Sequence, residues 1–524
     1  MTRNYSRRSF VRKTATGAAA AAFAMAGANG LRHGAAQDAT PAVSNPGAMV
    51  IPDSGADLPT EDVTFRWIDS GDLKAMFYTK FFPAYEEAHP NITVEYDALP
   101  WTEVNRIVPL GVQNGDAHDV FAKPQEIPAG QMVAEGWVAP LDDIIPNFEE
   151  WKNRFPYGTF IEGVHIFDGK LYVYPLTSSK RYWSMTFYNA DVLEKAGYDL
   201  ANERLTWDDY RAAAKKVTEQ GQGQYYGVIM AGKNGGNMST IVRNLGRMAG
   251  APAGGSLGFE DIDWRTGEFQ YASDQYLAAI DLLLALKADG SIFPGSLSLS
   301  TAEARGRFPQ GIAGMILQGP WNIPQWQTDS PDFRFGLASQ PVPNDGSSVP
   351  LTYEENGSNA SWVYADSPYK QIAGDMFSYM GSVEGQVALM AATGGNLRAL
   401  VPEAVEIATN TVELDPVADT ALKLYDEQMR MGPIVTVRNA DAAQVALERR
   451  PVTPDLGDLM SGIMSEQIDD PKAAMQDLED RSNAELERAL KAAQDKGAQV
   501  SRDDFVFANW DPTENYTQEQ YEEL

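Results

Sequence analysis

Val63-Thr64-Phe65-Arg66-Trp67-Ile68, a helical run from Leu73 to His89 closed by Pro90, and Ile92-Thr93-Val94-Glu95-Tyr96 set the architecture. The first and last runs alternate and are rich in β-formers, so each reads as a strand. Strand, helix, strand is a βαβ opening, which predicts an α/β fold built on a parallel sheet. Moving outward, Trp101 to Val112 reads as a second helix and His118-Asp119-Val120-Phe121 as the strand after it. Lys170 to Pro175 and Ser184 to Asn189 read as further strands. Thr206 to Glu219 is a helix with Thr206 as its N-cap and acids in its first turn. Tyr276 to Lys287, Tyr369 to Gly381, Val383 to Thr393 and Pro471 to Gln494 are helical, and Ala313 to Leu317 and Ser361 to Tyr364 are short strands. No internal repeat interrupts this order.

The chain has 524 residues, with 42 basic and 72 acidic side chains, four histidines and no cysteine. That length holds two or three domains with their own cores. Without cysteine there are no disulfides, thiolate metal sites or cysteine nucleophiles. A net charge of −30 argues against nucleic acid or an anionic membrane as partner, because both call for a basic footprint.

Ser6-Arg7-Arg8-Ser9-Phe10-Val11-Arg12-Lys13 precedes an Ala/Gly-rich stretch from Ala15 to Ala28. A charged start, a short apolar core and a small-residue exit make a secretory signal, and the paired arginines resemble the twin-arginine consensus. Residues 1–36 are therefore expected to be a twin-arginine signal peptide; they carry six basic groups and no acid, so their removal makes the chain more negative by six. Residues 37–62, rich in Ala, Pro, Ser, Gly and Asp, read as a flexible leader. The acidic end from Asp511 to Leu524 reads as mobile. The expected location is the periplasm or cell surface, with no cysteine available for lipid attachment.

Several segments, in order, resemble the extracellular solute-binding proteins of ABC importers, in the sugar-binding branch around the maltose-binding protein. They are Phe65 to Asp72; His118 to Phe121 with Val133 to Asp142; Asp168 to Pro175 running to Tyr188-Asn189-Ala190-Asp191; Thr206-Trp207-Asp208-Asp209-Tyr210; and Phe308-Pro309-Gln310-Gly311 with Gly319-Pro320-Trp321-Asn322. The resemblance implies a two-lobe periplasmic-binding-protein fold of type 2, with a hinge between the lobes and a ligand cleft. It places 63–175 and 309–356 in the N-terminal lobe, 176–308 and 357–500 in the C-terminal lobe, and 501–524 in an acidic tail.

A sugar offers hydroxyls and apolar C–H faces, so its site needs flat aromatic surfaces and planar polar groups. Trp321 follows Gly319-Pro320, and the family's matching tryptophan stacks on sugar; the competing reading is a core anchor. Asp69, Ser70 and Asp72 follow the first strand, where a plain N-cap is the alternative. Gln125 and Glu126 lie beyond Phe121, where this chain departs from the family by carrying Ala122-Lys123-Pro124. Ser179, Arg181 and Trp183 stand at the crossover between lobes, and Ser179 replaces a family acid. Asn237 lies in a loop where relatives place ligand residues; Gly357, Ser358 and Asn359 lie near the second crossing. Asn396 and Arg398 follow a third glycine-rich loop.

Gly254-Gly255-Ser256-Leu257-Gly258 fits the nucleophile elbow of α/β-hydrolases, but that chemistry needs a later histidine and all four histidines lie upstream. The resemblance to the solute-binding family implies binding without catalysis, and no cofactor: a monomer that carries a mono- or oligosaccharide to the membrane subunits of an ABC permease. The alternatives are an exported glycoside hydrolase or lyase, whose paired acids 72 carboxylates would always supply, and a binder of a non-sugar solute such as a polyamine.

Overall fold

Val63–Asp69 pairs in parallel with Ile92–Ala98 on one side and with Val120–Phe121 on the other. The computed structural model describes residues 48–125, 127–201, 203–233, 235–255, 258–355 and 360–524. Phe65 and Trp67 point to one face of the sheet and Ile68 to the other, and all three are buried. The helix Leu73–Ala88 covers the first face with Phe77, Tyr78, Phe81 and Phe82, whose rings pack against Trp67 and one another. Ser361–Val363 joins antiparallel to Val120–Phe121, and Val173–Tyr174 closes the far edge, giving five strands.

A second sheet of four strands is centred on Met185–Asn189 and Ala313–Gln318, every residue of which is buried. Phe335–Ala338 flanks the former antiparallel, and Tyr226–Val228 flanks the latter in parallel. This pairing departs from the expected boundaries. Residues 309–356 were assigned to the N-terminal lobe, yet Ala313–Gln318 and Phe335–Ala338 belong to the second sheet. Residues from 357 were assigned to the C-terminal lobe, yet Ser361–Val363 belongs to the first. A short apolar strand is buried on both faces in either sheet, so its own residues do not name its partner.

The chain passes from the first sheet to the second between Tyr174 and Met185 and returns between Ala338 and Ser361. It leaves again at Met429–Met431, which pairs in parallel with Leu351–Tyr353; from Val435 onward the buried side chains join the cluster behind the second sheet. One apolar cluster spans both sheets, holding Trp67 and Phe77 together with Phe187, Ile316 and Trp326. Tyr516 is buried in the second cluster and Tyr521 packs against it, so the end expected to be mobile from Asp511 onward is anchored to the fold through these two rings. Its two tyrosines bury apolar area that the surrounding acids conceal in a composition count.

The signal segment lies outside the described residues, as does the leader before residue 48. From residue 48 the leader is packed rather than flexible: Met49, Ile51 and Leu58 rest on the main cluster, and the Ser54 hydroxyl donates to Asp375. No helix among the described residues is long and apolar enough to cross a membrane.

The expected cap at Thr206 is present. Its hydroxyl accepts from Asp209 N while the Asp209 carboxylate accepts from Thr206 N, a reciprocal capping box at the head of Trp207–Gly221. Thr206→Ala is expected to cost about 1 kcal/mol, read as a lowered denaturation midpoint in urea with an unchanged slope.

Candidate ligand-binding site

Three parallel strands of the first sheet end side by side, so the loops at 69–72, 99–101 and 122–125 gather at one edge. Tyr226–Val228 and Ala313–Gln318 do the same in the second sheet, gathering the loops at 229–233 and 319–321. Loop ends at such an edge are where open α/β sheets bind ligands.

At the first edge Asp69 is buried, and its Oδ1 accepts from Gly71 N at 2.6 Å and from the Tyr96 hydroxyl at 2.9 Å. Gly71 has φ of 67°, a left-handed turn that glycine adopts without strain. Lys74, also buried, donates from Nζ to Ser70 Oγ at 2.6 Å and lies 5.7 Å from the centre of the Trp101 ring. Burial raises the Asp69 pKa and lowers that of Lys74, and the opposite charge of each partly offsets the shift of the other.

Charges from the other half of the chain reach this edge. Lys74 feels the like charge of Arg181, and Arg305 feels the opposite charge of Asp72. Burial lowers the pKa of both arginines. Lys74, Trp101 and Arg305 were not among the expected site residues. Lys74 reads as the first turn of a helix, although its place two residues after Asp72 marks it as part of the same loop. Trp101 follows Pro100 at a strand end, the pattern that singled out Trp321.

At the second edge Trp321 folds back over Gly319, where any side chain would overlap the indole. Its ring meets that of Trp183 edge-on, with centroids 5.0 Å apart and planes at 87°. Trp183 is 47% exposed, an unusual degree for the largest apolar side chain. Trp321 is thus half-buried and neighbours open surface, rather than serving as a core anchor; that role falls to Trp326, which is buried against Phe187 and Phe308. Buried polar atoms of Gln318 and Asn322 on either side of the turn have no hydrogen-bond partner among the described residues. Asn237 stands half-buried in the first turn of Gly236–Met248, at this same edge.

The remaining expected residues divide. Ser179, Asn396 and Arg398 lie at the crossing and serve its internal bonding. Ser179 N donates to Glu355 Oε1 at 2.9 Å, and Asn396 Nδ2 donates to Thr393 O at 2.9 Å. Arg398 and Lys180 hold Asp426 at 2.8 and 2.7 Å. Burial would raise the Asp426 pKa, but these two cations outweigh it and hold it below the usual range. Arg181, Asn396 and Arg398 line a cavity of about 20 Å³ with Pro320, Ile323 and Tyr425, room for about one water and far too small for a sugar. Gln125 is exposed and bonded to Asn105 of the neighbouring helix. Glu126, Gly357, Ser358 and Asn359 lie outside the described residues.

A family model described as bacterial extracellular solute-binding protein matches residues 70–387, more than half of the chain. A protein of Brucella abortus (strain 2308), whose name assigns it provisionally as a binding protein, is 27% identical over 266 residues, 51% of this chain and 60% of that one. The sn-glycerol-3-phosphate-binding periplasmic protein of Rhizobium meliloti (strain 1021) is 23% identical over 274 residues, 50% of this chain and 58% of that one. The matched region thus spans less than two thirds of these relatives. Among solved structures, an ABC-transporter solute-binding protein from Thermotoga lettingae bound with α-D-tagatose superposes with a TM-score of 0.56 at 16% identity, covering 82% of this chain and 100% of that one. At that identity the likeness is one of fold: two lobes, mixed α/β, with a cleft between them.

Proposed function

The chain belongs to the bacterial extracellular solute-binding protein family, and from that premise we propose that it binds a mono- or oligosaccharide between its lobes and delivers it to an ABC permease. The Trp183–Trp321 pair carries this reading. An exposed indole braced edge-on by a second one presents the flat apolar face that stacks on sugar C–H groups. Asp69, Ser70 and Asp72 across the cleft would supply hydroxyl partners, with Asn237 beside the aromatic pair. Hinge closure would bury the ligand between the two edges and present a changed outer surface to the permease. The basic start of the chain fits export by the twin-arginine route to the periplasm, where the protein would act as a monomer without catalysis.

A phosphorylated polyol is a second reading, favoured by Lys74, Arg181 and Arg305 standing within electrostatic reach of one loop and by the glycerol-phosphate-binding relative. A thermal-shift screen over monosaccharides, oligosaccharides, polyols, glycerol 3-phosphate and polyamines separates the readings. A ligand at 100 times its Kd adds about 2.7 kcal/mol to stability, so a sugar that binds raises the melting temperature by degrees and is recovered intact. A rise with glycerol 3-phosphate alone would replace the sugar reading by the second. Turnover of a panel sugar would make the protein a carbohydrate-active enzyme instead.

A further inference from the structure

The C-terminal segment is bonded to the third crossing between the sheets. Met429–Met431 has one edge paired with Leu351–Tyr353. On the tail's side, Tyr516 N donates to Met431 O at 2.8 Å and Met431 N donates to Asn515 Oδ1 at 2.8 Å. Arg430 Nε donates to Thr513 O at 2.9 Å. Three residues later the Tyr521 hydroxyl accepts from Ile434 N at 2.8 Å.

The same tail touches both halves of the molecule. Upstream, Phe507 N donates to Trp264 O at 2.7 Å, and Trp510 meets Trp264 edge-on at 4.9 Å, fixing the segment to the second half. Downstream, the Tyr521 ring lies 6.1 Å from that of Tyr157. Tyr157 stands in the loop after Trp151 and Phe155, whose indole and ring are packed in the first half against Tyr174 and Phe160.

We propose that residues 505–524 form a strap that governs the hinge: by bonding the crossing strand and reaching Tyr157, it limits how far the two lobes separate without ligand. Any change in the backbone torsions of Met429–Met431 must carry the strap along or break its hydrogen bonds. Any opening that moves the 157 loop away from Ile434 must part the Tyr157–Tyr521 contact. The proposal goes beyond the ligand reading and rests only on the two-lobe hinge.

The chain has no cysteine, so Glu135→Cys in the first half and Lys215→Cys in the second can carry spin labels at two exposed positions. Pulsed electron-spin distance measurement on the full-length, ligand-free protein then reports lobe separation directly. Tyr521→Ala and, separately, Asn515→Ala should each broaden the distance distribution toward longer separations. Tyr521→Phe, which keeps the ring but loses the acceptor for Ile434 N, should broaden it less. Distributions superimposable on the parent in variants that melt cooperatively would overturn the proposal. If Tyr521→Ala fails to fold, Asn515→Ala and Arg430→Met decide alone. No ligand enters the measurement, so a wrong sugar assignment leaves its outcome untouched.

Discussion

Trp321→Ala will weaken binding of the panel's best sugar at least tenfold, about 1.4 kcal/mol, while leaving the protein folded. The indole is half-buried, so its loss removes some packing from the turn, but the core beneath is anchored by Trp326, which packs against Phe187 and Phe308 rather than against Trp321. What disappears is the face for the ligand and the brace for Trp183. Trp183→Ala should cost less if Trp321 makes the stack, and more if Trp183, the more exposed ring, does so itself. The double variant should then cost less than the two single losses added, because the rings touch. Titration calorimetry with the sugar found in the screen gives all four affinities. A folded Trp321→Ala protein of unchanged affinity would take that residue out of the site and remove the observation on which the carbohydrate reading stands.

Local chemistry was the most legible part of the sequence. Thr206 announces its helix through the acid three residues later, and the box forms as read because every partner lies within one turn. The parallel opening from Val63 to Ala98 was equally plain, since a crossover helix between two strands leaves little topological choice. What stayed hidden depended on residues distant in sequence. Ala313–Gln318 is apolar throughout, and only its antiparallel register with Met185–Asn189 places it in the second sheet. The tail was read from its acids, whereas Phe505, Phe507 and Tyr516 decide its fate through a surface built by Trp264 and Phe259. The site shows the same division. Asp69, Ser70 and Trp321 were visible at strand ends, but that Arg398 would be bonded to Asp426, 28 residues later, was not.

Lys74→Met will destabilise the protein more than any other change at the cleft, by about 3 kcal/mol. Lys74 and Asp69 are 5% and 2% exposed, so each has surrendered most of its hydration, and the attraction between them is what tempers the loss. Methionine fills the volume of the stem but leaves the buried Asp69 carboxyl without the cation that tempers its burial. The pH dependence fixes the cause. Burial holds the Asp69 pKa above its ordinary 3.8, so the folded state binds a proton more readily than the unfolded one, and stability falls as pH rises through the interval between those two values. Without Lys74 that interval widens upward. The deficit of Lys74→Met should therefore be largest at neutral pH and shrink as the pH is lowered toward 3.8. Adding Asp69→Asn should restore most of the loss at neutral pH, because an amide Oδ1 still accepts from Gly71 N and Tyr96 and no charge is left to strand. Urea denaturation of the three variants across pH reads this directly. A deficit that is the same at every pH, or that the second substitution deepens, would mean that Lys74 acts by packing and by its bond to Ser70 rather than through the charge of Asp69.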